Sequence, residues 1–433
     1  MPMISETGIV HPSKTASAGG RVTSETTEQL RHSAFFSELS SLGDSDSTWR
    51  AVTAGLVVLR QVDAWVEEGA QVVAADNWGV RSVRAAVDDL PSGLPARTLL
   101  TGIVDALTSA RGGDLHAVAP RLMAYARSLD LDGRWTLAAD VYDTILTHVH
   151  PVEDADVAIT AMLRRGHCLR QMGALAEASA TYATAADVAT RANDMIGMLR
   201  ARIGEAKVMA ERGNLPAADA MLETAAKTAG EHALSEVRST ATHDRSHVAI
   251  LRGRYDAAVR FAYEALREST NEHERARILN DLATAFSALG VKSAARDAFL
   301  IIAATAREQY LRWTATINLM ELAGDAGVRL QFERYRQQLA SAELPPLLRV
   351  QFELHVGRGY QTLGELELAQ SWLERAAGTA ASHSFNKLVF EAEEALAKNS
   401  LPVAGTPAVP FEVPDDVDEI ANEIRELREL AEV

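Results

Sequence analysis

The chain has 433 residues, 47% of them hydrophobic, with only 27 glycines and 13 prolines, so helix breakers are scarce and a large core or several stacked ones can form. The single cysteine, Cys168, cannot make an intramolecular disulfide, and the net charge of −16 opposes binding to phosphate backbones. The longest nearly apolar run, Ala51 to Leu59, falls far short of the ~20 residues of a membrane helix, and the N-terminus lacks the basic-then-apolar order of a secretory leader. The expectation is therefore a cytoplasmic protein with no membrane span, no nucleic-acid partner and no cofactor.

Residues 1–28 are rich in Ser, Thr and Gly without apolar periodicity, and are expected to form a disordered tail. Residues 29–113 read as a helical module, with helices near 27–42, 47–68, 73–89 and 95–111. Gly43, Asp44, Ser45 and Asp46 offer an N-cap ahead of Trp49, Val52, Leu56, Leu59 and Val62, while Pro91 and Pro95 separate the last two helices. The polar residues of this module, such as Arg60, Asp63, Asp76, Asp88 and Asp89, read as solvated helix faces. From Val152 to Glu343 the only proline is Pro216, which excludes the frequent turns of a sandwich or barrel and makes the body all-α.

Glycines then recur at a fixed interval: Gly133, Gly173, Gly213, Gly253, Gly290, Gly327 and Gly364 are spaced by 40, 40, 40, 37, 37 and 37 residues, the mark of a repeat array. Seven residues before them stand Ala126, Gly166, Ala206, Ser246, Ala283, Met320 and Gly357, and five after them Ala138, Ala178, Ala218, Ala258, Ala295, Phe332 and Ala369. The pattern predicts helical hairpins in which glycine is the left-handed C-cap and small residues let paired helices approach. It resembles the tetratricopeptide (TPR) repeat family, most closely at Tyr255, Ala258, Phe261, Ala265 and Leu266, and again at Trp135, Ala138, Tyr142 and Ile145. The resemblance covers residues 119–383 and implies a right-handed superhelix of seven hairpins, with helices longer than the usual 34-residue repeat needs. Met320 and Phe332 break the small-residue rule, so the sixth hairpin is expected to be splayed. A last helix near 384–398 is expected to cap the stack, so that residues 114–399 form one array.

In a TPR array the first helices line the concave groove, and the resemblance places Arg127, His167, Lys207, His247, Thr284, Glu321 and Arg358 in it. Neighbouring positions on the same faces add Arg164, Arg170, His243, Arg277, Asn280, Asn318 and Gln361. These residues form a ladder of donors suited to an acidic helix, peptide or carboxylate; an ordinary solvated face, with Asp244 and Asp281 as internal partners, is the competing reading. His243 and His247 are spaced like two ligands of a zinc peptidase helix, but Asp244 replaces the catalytic glutamate and no third ligand is evident. His148 and His150 read as part of a solvated turn before Pro151, and Cys168 as core packing. Gly357 and Gly359 follow no strand, so they do not form a nucleotide loop. No catalytic constellation stands out, and no enzymatic activity is expected.

Residues 400–414 are proline-rich and read as a semi-rigid linker. Residues 415–433 hold eight acids and two bases, with Val417, Ile420, Ile424, Leu427 and Ala431 forming one apolar seam and Asp416 and Glu419 spaced as a capping box. So short a helix is marginal in water, so the seam requires a partner: the molecule's own groove, a neighbouring copy in a homo-oligomer, or a separate protein. The sequence thus predicts a non-enzymatic scaffold or adaptor binding an acidic or amphipathic helical segment of a protein or peptide. A helical bundle followed by seven long hairpins is also similar in layout to the Rap-type quorum-sensing regulators of bacteria, which implies peptide-responsive regulation; a self-assembling structural role is a further alternative.

Overall fold

The computed structural model describes residues 31–42, 47–68, 78–109, 114–383, 385–399 and 413–431, and every regular element in them is helical. The expected tail at 1–28, the cap at 43–46 and most of the linker at 400–414 lie outside the described residues. The N-terminal module comprises α1 (Ser33–Ser41), α2 (Ser47–Glu68), α3 (Trp78–Asp88) and α4 (Pro95–Ser109). Its core does not stop at residue 113. Phe35, Leu59 and Trp65 share one buried cluster with Tyr125, Tyr142 and Cys168 of the first hairpins. Gly55 makes this docking possible, because a Cβ there would lie 2.3 Å from the Tyr125 hydroxyl.

Seven hairpins follow: α5 (Ala119–Leu131) with α6 (Trp135–His148), α7 (Ala155–Gln171) with α8 (Leu175–Arg191), and α9 (Met195–Glu211) with α10 (Leu215–Glu231). Next come α11 (Ser235–Leu251) with α12 (Tyr255–Glu268), α13 (Glu272–Ala288) with α14 (Lys292–Thr305), α15 (Gln309–Asp325) with α16 (Arg329–Ala340), and α17 (Pro346–Thr362) with α18 (Leu366–Ser382). The array ends with α19 (Asn386–Asn399), and α20 (Asp415–Leu430) follows.

All seven repeat glycines take positive φ, from 66° at Gly327 to 83° at Gly213. The residue after each donates its N–H to a carbonyl five residues back, as in Arg134 to Leu129 at 2.8 Å and Glu365 to Tyr360 at 2.9 Å. That is the Schellman closure of a helix, and only glycine adopts its left-handed residue without a Cβ clash. From Gly173 on, the change of period from 40 to 37 has a local cause. α8 and α10 run 17 residues and end in left-handed Asn193 and Ala233, whereas α12 and α14 run 14 residues and exit through extended Ser269 and Ala306.

The sixth hairpin departs from the others, and its large residues are the reason. Phe332 of α16 is fully buried against Gly324 of α15 and Gly359 of α17, where a Cβ on Gly359 would lie 2.2 Å from the ring. Tyr360 meets the same ring edge-on at 5.3 Å. α16 therefore packs along α15 and meets α17 mainly through Phe332, while α15 and α17 pack directly on each other through the two glycines.

α20 packs on α12 and α14, the second helices of repeats four and five. Val417, Ile420, Ala421 and Ile424 are buried in the core of those repeats, while Leu427 is 36% exposed and Ala431 caps the helix end. Of the three partners expected for the seam, this sets aside the molecule's own first-helix groove: an apolar seam takes an apolar trough, and the first-helix face is a row of ion pairs, described below. The capping box also does not form. α20 starts after Pro414 without a side-chain cap, and Asp416 pairs with Arg260 of α12 instead, one of its bonds at 3.1 Å. Further along, Glu423 accepts from Tyr263, and Arg428 reaches Asp297 of α14 at 3.2 Å.

Candidate functional site

The first helices of successive repeats adjoin one another, and the predicted groove residues lie along that seam. Most of the charged ones are joined to an oppositely charged group of the neighbouring repeat. His167 of α7 meets Asp130 of α5 at 3.3 Å, and Asp130 also accepts from Arg127 at 2.9 Å. Arg170 of α7 pairs with Glu211 of α9, and Lys207 of α9 with Asp244 of α11 at 3.0 Å. His243 of α11 meets Asp281 of α13 at 3.0 Å. Beyond the fifth repeat the row resumes with Glu321 of α15 and His355 of α17 at 3.3 Å, then Arg358 of α17 and Glu391 of α19 at 3.7 Å. Gln361 donates to the Ala395 carbonyl of α19 at 2.7 Å.

The carboxylates respond to these partners. Burial alone would raise Asp130, but the His167 bond and the charges of His167, Arg127 and Arg164 hold it below the usual range. Asp281 is likewise lowered against its burial, by the His243 bond, the charges of His243 and His247, and the Asn280 amide. Glu321 is held low by His355 and Arg358 against the same opposition. Most predicted donors are thus neutralised within the array, which stitches repeat to repeat; each such pair, where solvent reaches it, adds at most about 1 kcal/mol.

The row is broken once. Among the described residues no ion pair joins the bodies of α13 and α15. There Arg277 is exposed and reaches only Glu274 of its own helix, at 3.5 Å, while Asn318 of α15 is half-buried. Asn280 Oδ1 is buried with no hydrogen-bond partner. An unsatisfied buried acceptor is uncommon and costs about 1–3 kcal/mol. His247, one repeat back, is exposed, and so is Arg164 further up the row. His355 and the acids Asp130, Glu211 and Glu321 have a legible signal: paired partners stand 33 to 41 residues apart, close to one repeat period.

A second polar cluster carried no sequence signal. His32, in the left-handed conformation at φ 60° just before α1, is 6% exposed. Its Nδ1 lies 2.8 Å from Asp140 of α6 and its Nε2 3.2 Å from Asp63 of α2. His148 of α6 reaches the other oxygen of Asp63 at 2.7 Å, and Arg31 approaches Asp63 at 3.4 Å. Burial disfavours a charged His32, but the bonds to Asp140 and Asp63 outweigh it and raise the ring to about 9. Asp63 is held well below the carboxylate range, the His148 and His32 bonds overcoming its burial. The reading of Asp63 as a solvated face and of His148 as a solvated turn is therefore corrected: both side chains are turned inward and join the module to the first hairpin. Cys168 is core, its thiol pushed up to about 12 chiefly by burial. His243 is held by Asp281, and among the described residues no group of three or more His, Cys, Asp or Glu is placed to hold a metal ion.

Seven glycine-capped helical hairpins, stacked so that first helices adjoin first helices, define a TPR-like α-solenoid. No protein-family model and no curated protein matches the sequence. Among solved structures, the chain is similar to a tetratricopeptide repeat protein from Parabacteroides merdae ATCC 43184, at 14% identity over 64% of this chain and 98% of that one, with a TM-score of 0.41. It is also similar to a Rap protein complexed with competence and sporulation factor, at 12% identity over 87% and 100% of the two chains and a TM-score of 0.45. The apo form of RapI matches at 11% identity over 80% and 100%, with a TM-score of 0.44. No helix among the described residues is long and apolar enough to cross a membrane.

Proposed function

We propose that this protein is an interaction scaffold that binds a protein or peptide segment on the first-helix face, across α11, α13 and α15. The single observation behind this reading is the break in the ion-pair row, where Asn280 Oδ1 is buried without a partner. Turned outward, the Asn280 amide accepts from a peptide N–H laid along the face, Asn318 offers a second amide one repeat on, and exposed Arg277 and His247 favour acidic side chains. Panning a displayed peptide library on the intact protein tests this. Enriched acidic peptides should lose at least tenfold in affinity to Asn280→Ala and Arg277→Glu variants; enrichment of peptides indifferent to both substitutions refutes it.

A regulatory version of this reading is favoured by the buried His32, Asp63, Asp140 and His148 cluster, which couples the N-terminal module to the array. A regulator of Rap-like layout changes shape when peptide binds, whereas an adaptor does not. Small-angle scattering with and without an enriched peptide separates the two, a constant radius of gyration rejecting the regulator.

A further inference from the structure

α20 shows what the solenoid's second-helix face accepts: an amphipathic helix with four apolar side chains buried, and acids on both flanks. Residues 415–433 carry eight acids against two bases. Asp416 sits on Arg260, and Glu423 and Glu426 line a recess of about 340 Å3 with Arg267 and Arg275. The trough outruns its occupant. Past Ile424, Leu427 is only partly covered and Leu430 is 81% exposed. Beside Leu427 opens a cavity of about 800 Å3 lined with Leu279, Ile301, Ile302 and Leu311, and rimmed by the ion pairs His273 with Glu308 and Arg307 with Glu272. Its volume is that of a binding cleft, and its lining is about equally apolar and polar, with Thr270, Asn271, Arg275 and Thr305 beside the paired rim.

We propose that the α12 and α14 face, together with this cavity, is the docking site for an acidic amphipathic helix of a partner protein, and that α20 holds the site in cis as its competitor. The partner helix extends past the point reached by Leu427 and places further apolar side chains in the cavity. Charge complementarity supports the acidic character, because Arg260 and Arg267 flank the trough. The cavity decides between occupants. Seated as α20 is, a helix from a second copy leaves Leu430 exposed and the cavity open; a helix with apolar side chains beyond the position of Leu427 fills it. The site is separate from the first-helix face, so either proposal stands or falls alone.

The test uses the full chain with α20 unseated by Ile420→Asp and Ile424→Asp, substitutions that leave α12 and α14 untouched. Arg428→Ala, which frees only the hold on Asp297, is the milder unseating variant. The probes are a fluorescein-labelled peptide of residues 413–433 and the same peptide lengthened by one helical turn bearing two leucines. By fluorescence anisotropy the unseated chain should bind the long probe at least tenfold more tightly than the unaltered chain does. It should prefer the long probe to the short one at least fivefold, and adding Arg260→Glu should remove at least tenfold. Absence of binding to either unseated variant overturns the proposal. Equal binding of both probes, or a doubled mass of the unaltered chain in sedimentation, overturns it in favour of exchange between copies.

Discussion

Raising the pH should loosen the N-terminal module from the first hairpin, and His32 sets the window. Its ring rises from the ordinary 6.5 to about 9 in the fold, a difference worth about 3 kcal/mol in favour of the folded, protonated state. A raised base contributes that stability in full below about 6.5 and loses it as the pH climbs through about 9. The other groups facing the ring are Asp63, Asp140, Arg31 and, across Asp63, His148. Asp63 is lowered, so its contribution disappears only in acid; buried Tyr125, Tyr142 and Cys168 are pushed upward, so they add to the loss only as the pH nears and passes their ordinary values of about 10 and 9, at the top of the window. Native-state hydrogen exchange resolves the effect. Once the intrinsic exchange rate is divided out, protection of the α1 amides should fall by roughly two orders of magnitude between pH 6.5 and 9.5, with α10 unchanged. His32→Gln should already show the low protection at pH 6.5. Flat α1 protection across that range, or an equal fall in α10, refutes the argument.

Two substitutions at glycine separate space from backbone conformation. A Cβ on Gly204 would meet the Tyr182 ring at 2.3 Å, so Gly204→Ala should cost about 1–3 kcal/mol by overpacking. Gly213→Ala meets open space but φ of 83°, and should cost about 1–2 kcal/mol from the left-handed backbone alone. Restoring room by Tyr182→Ala should reduce the penalty at 204 and leave that at 213 unchanged in thermal denaturation; equal rescue of both contradicts the assignment. Phe332→Ala empties the site between Gly324 and Gly359 and should cost about 3–5 kcal/mol in urea unfolding. Proteolytic cuts should then appear first in α16, whose hold on α17 centres on that ring.

The hairpins were legible in the sequence because their turn is a local affair. A Schellman closure requires one left-handed residue, glycine is the residue that takes it at low energy, and seven of them at constant spacing reveal the array without any knowledge of contacts. The seam of α20 was equally readable, since a helix brings every third and fourth residue to one side whatever lies opposite. Phe332, standing where the pattern asks for a small residue, was enough to foretell a distorted sixth hairpin. What the seam would meet was another matter. Whether Val417 and Ile424 enter a first-helix groove or a second-helix trough depends on which face is left apolar after the ion pairs form, and those pairs join residues of different repeats.

The same limit applied to charge. Buried Asp297 on α14 is met by Arg428 from 131 residues away, and the His32 ring is raised in part because Asp140 arrives from 108 away. Lys207 could serve as a donor for a partner or pair with Asp244, and the structure brings it to Asp244 on the next repeat. Periodicity by itself determined the array's helices, their glycine C-caps and the number of repeats, all properties of a few consecutive residues. Only the tertiary structure decided which charges cancel, which acceptor at Asn280 is left over, and where the terminal helix lies. Those outcomes depend on distances of a few ångströms between elements far apart along the chain, and hydrogen bonds and ion pairs lose their strength beyond such distances.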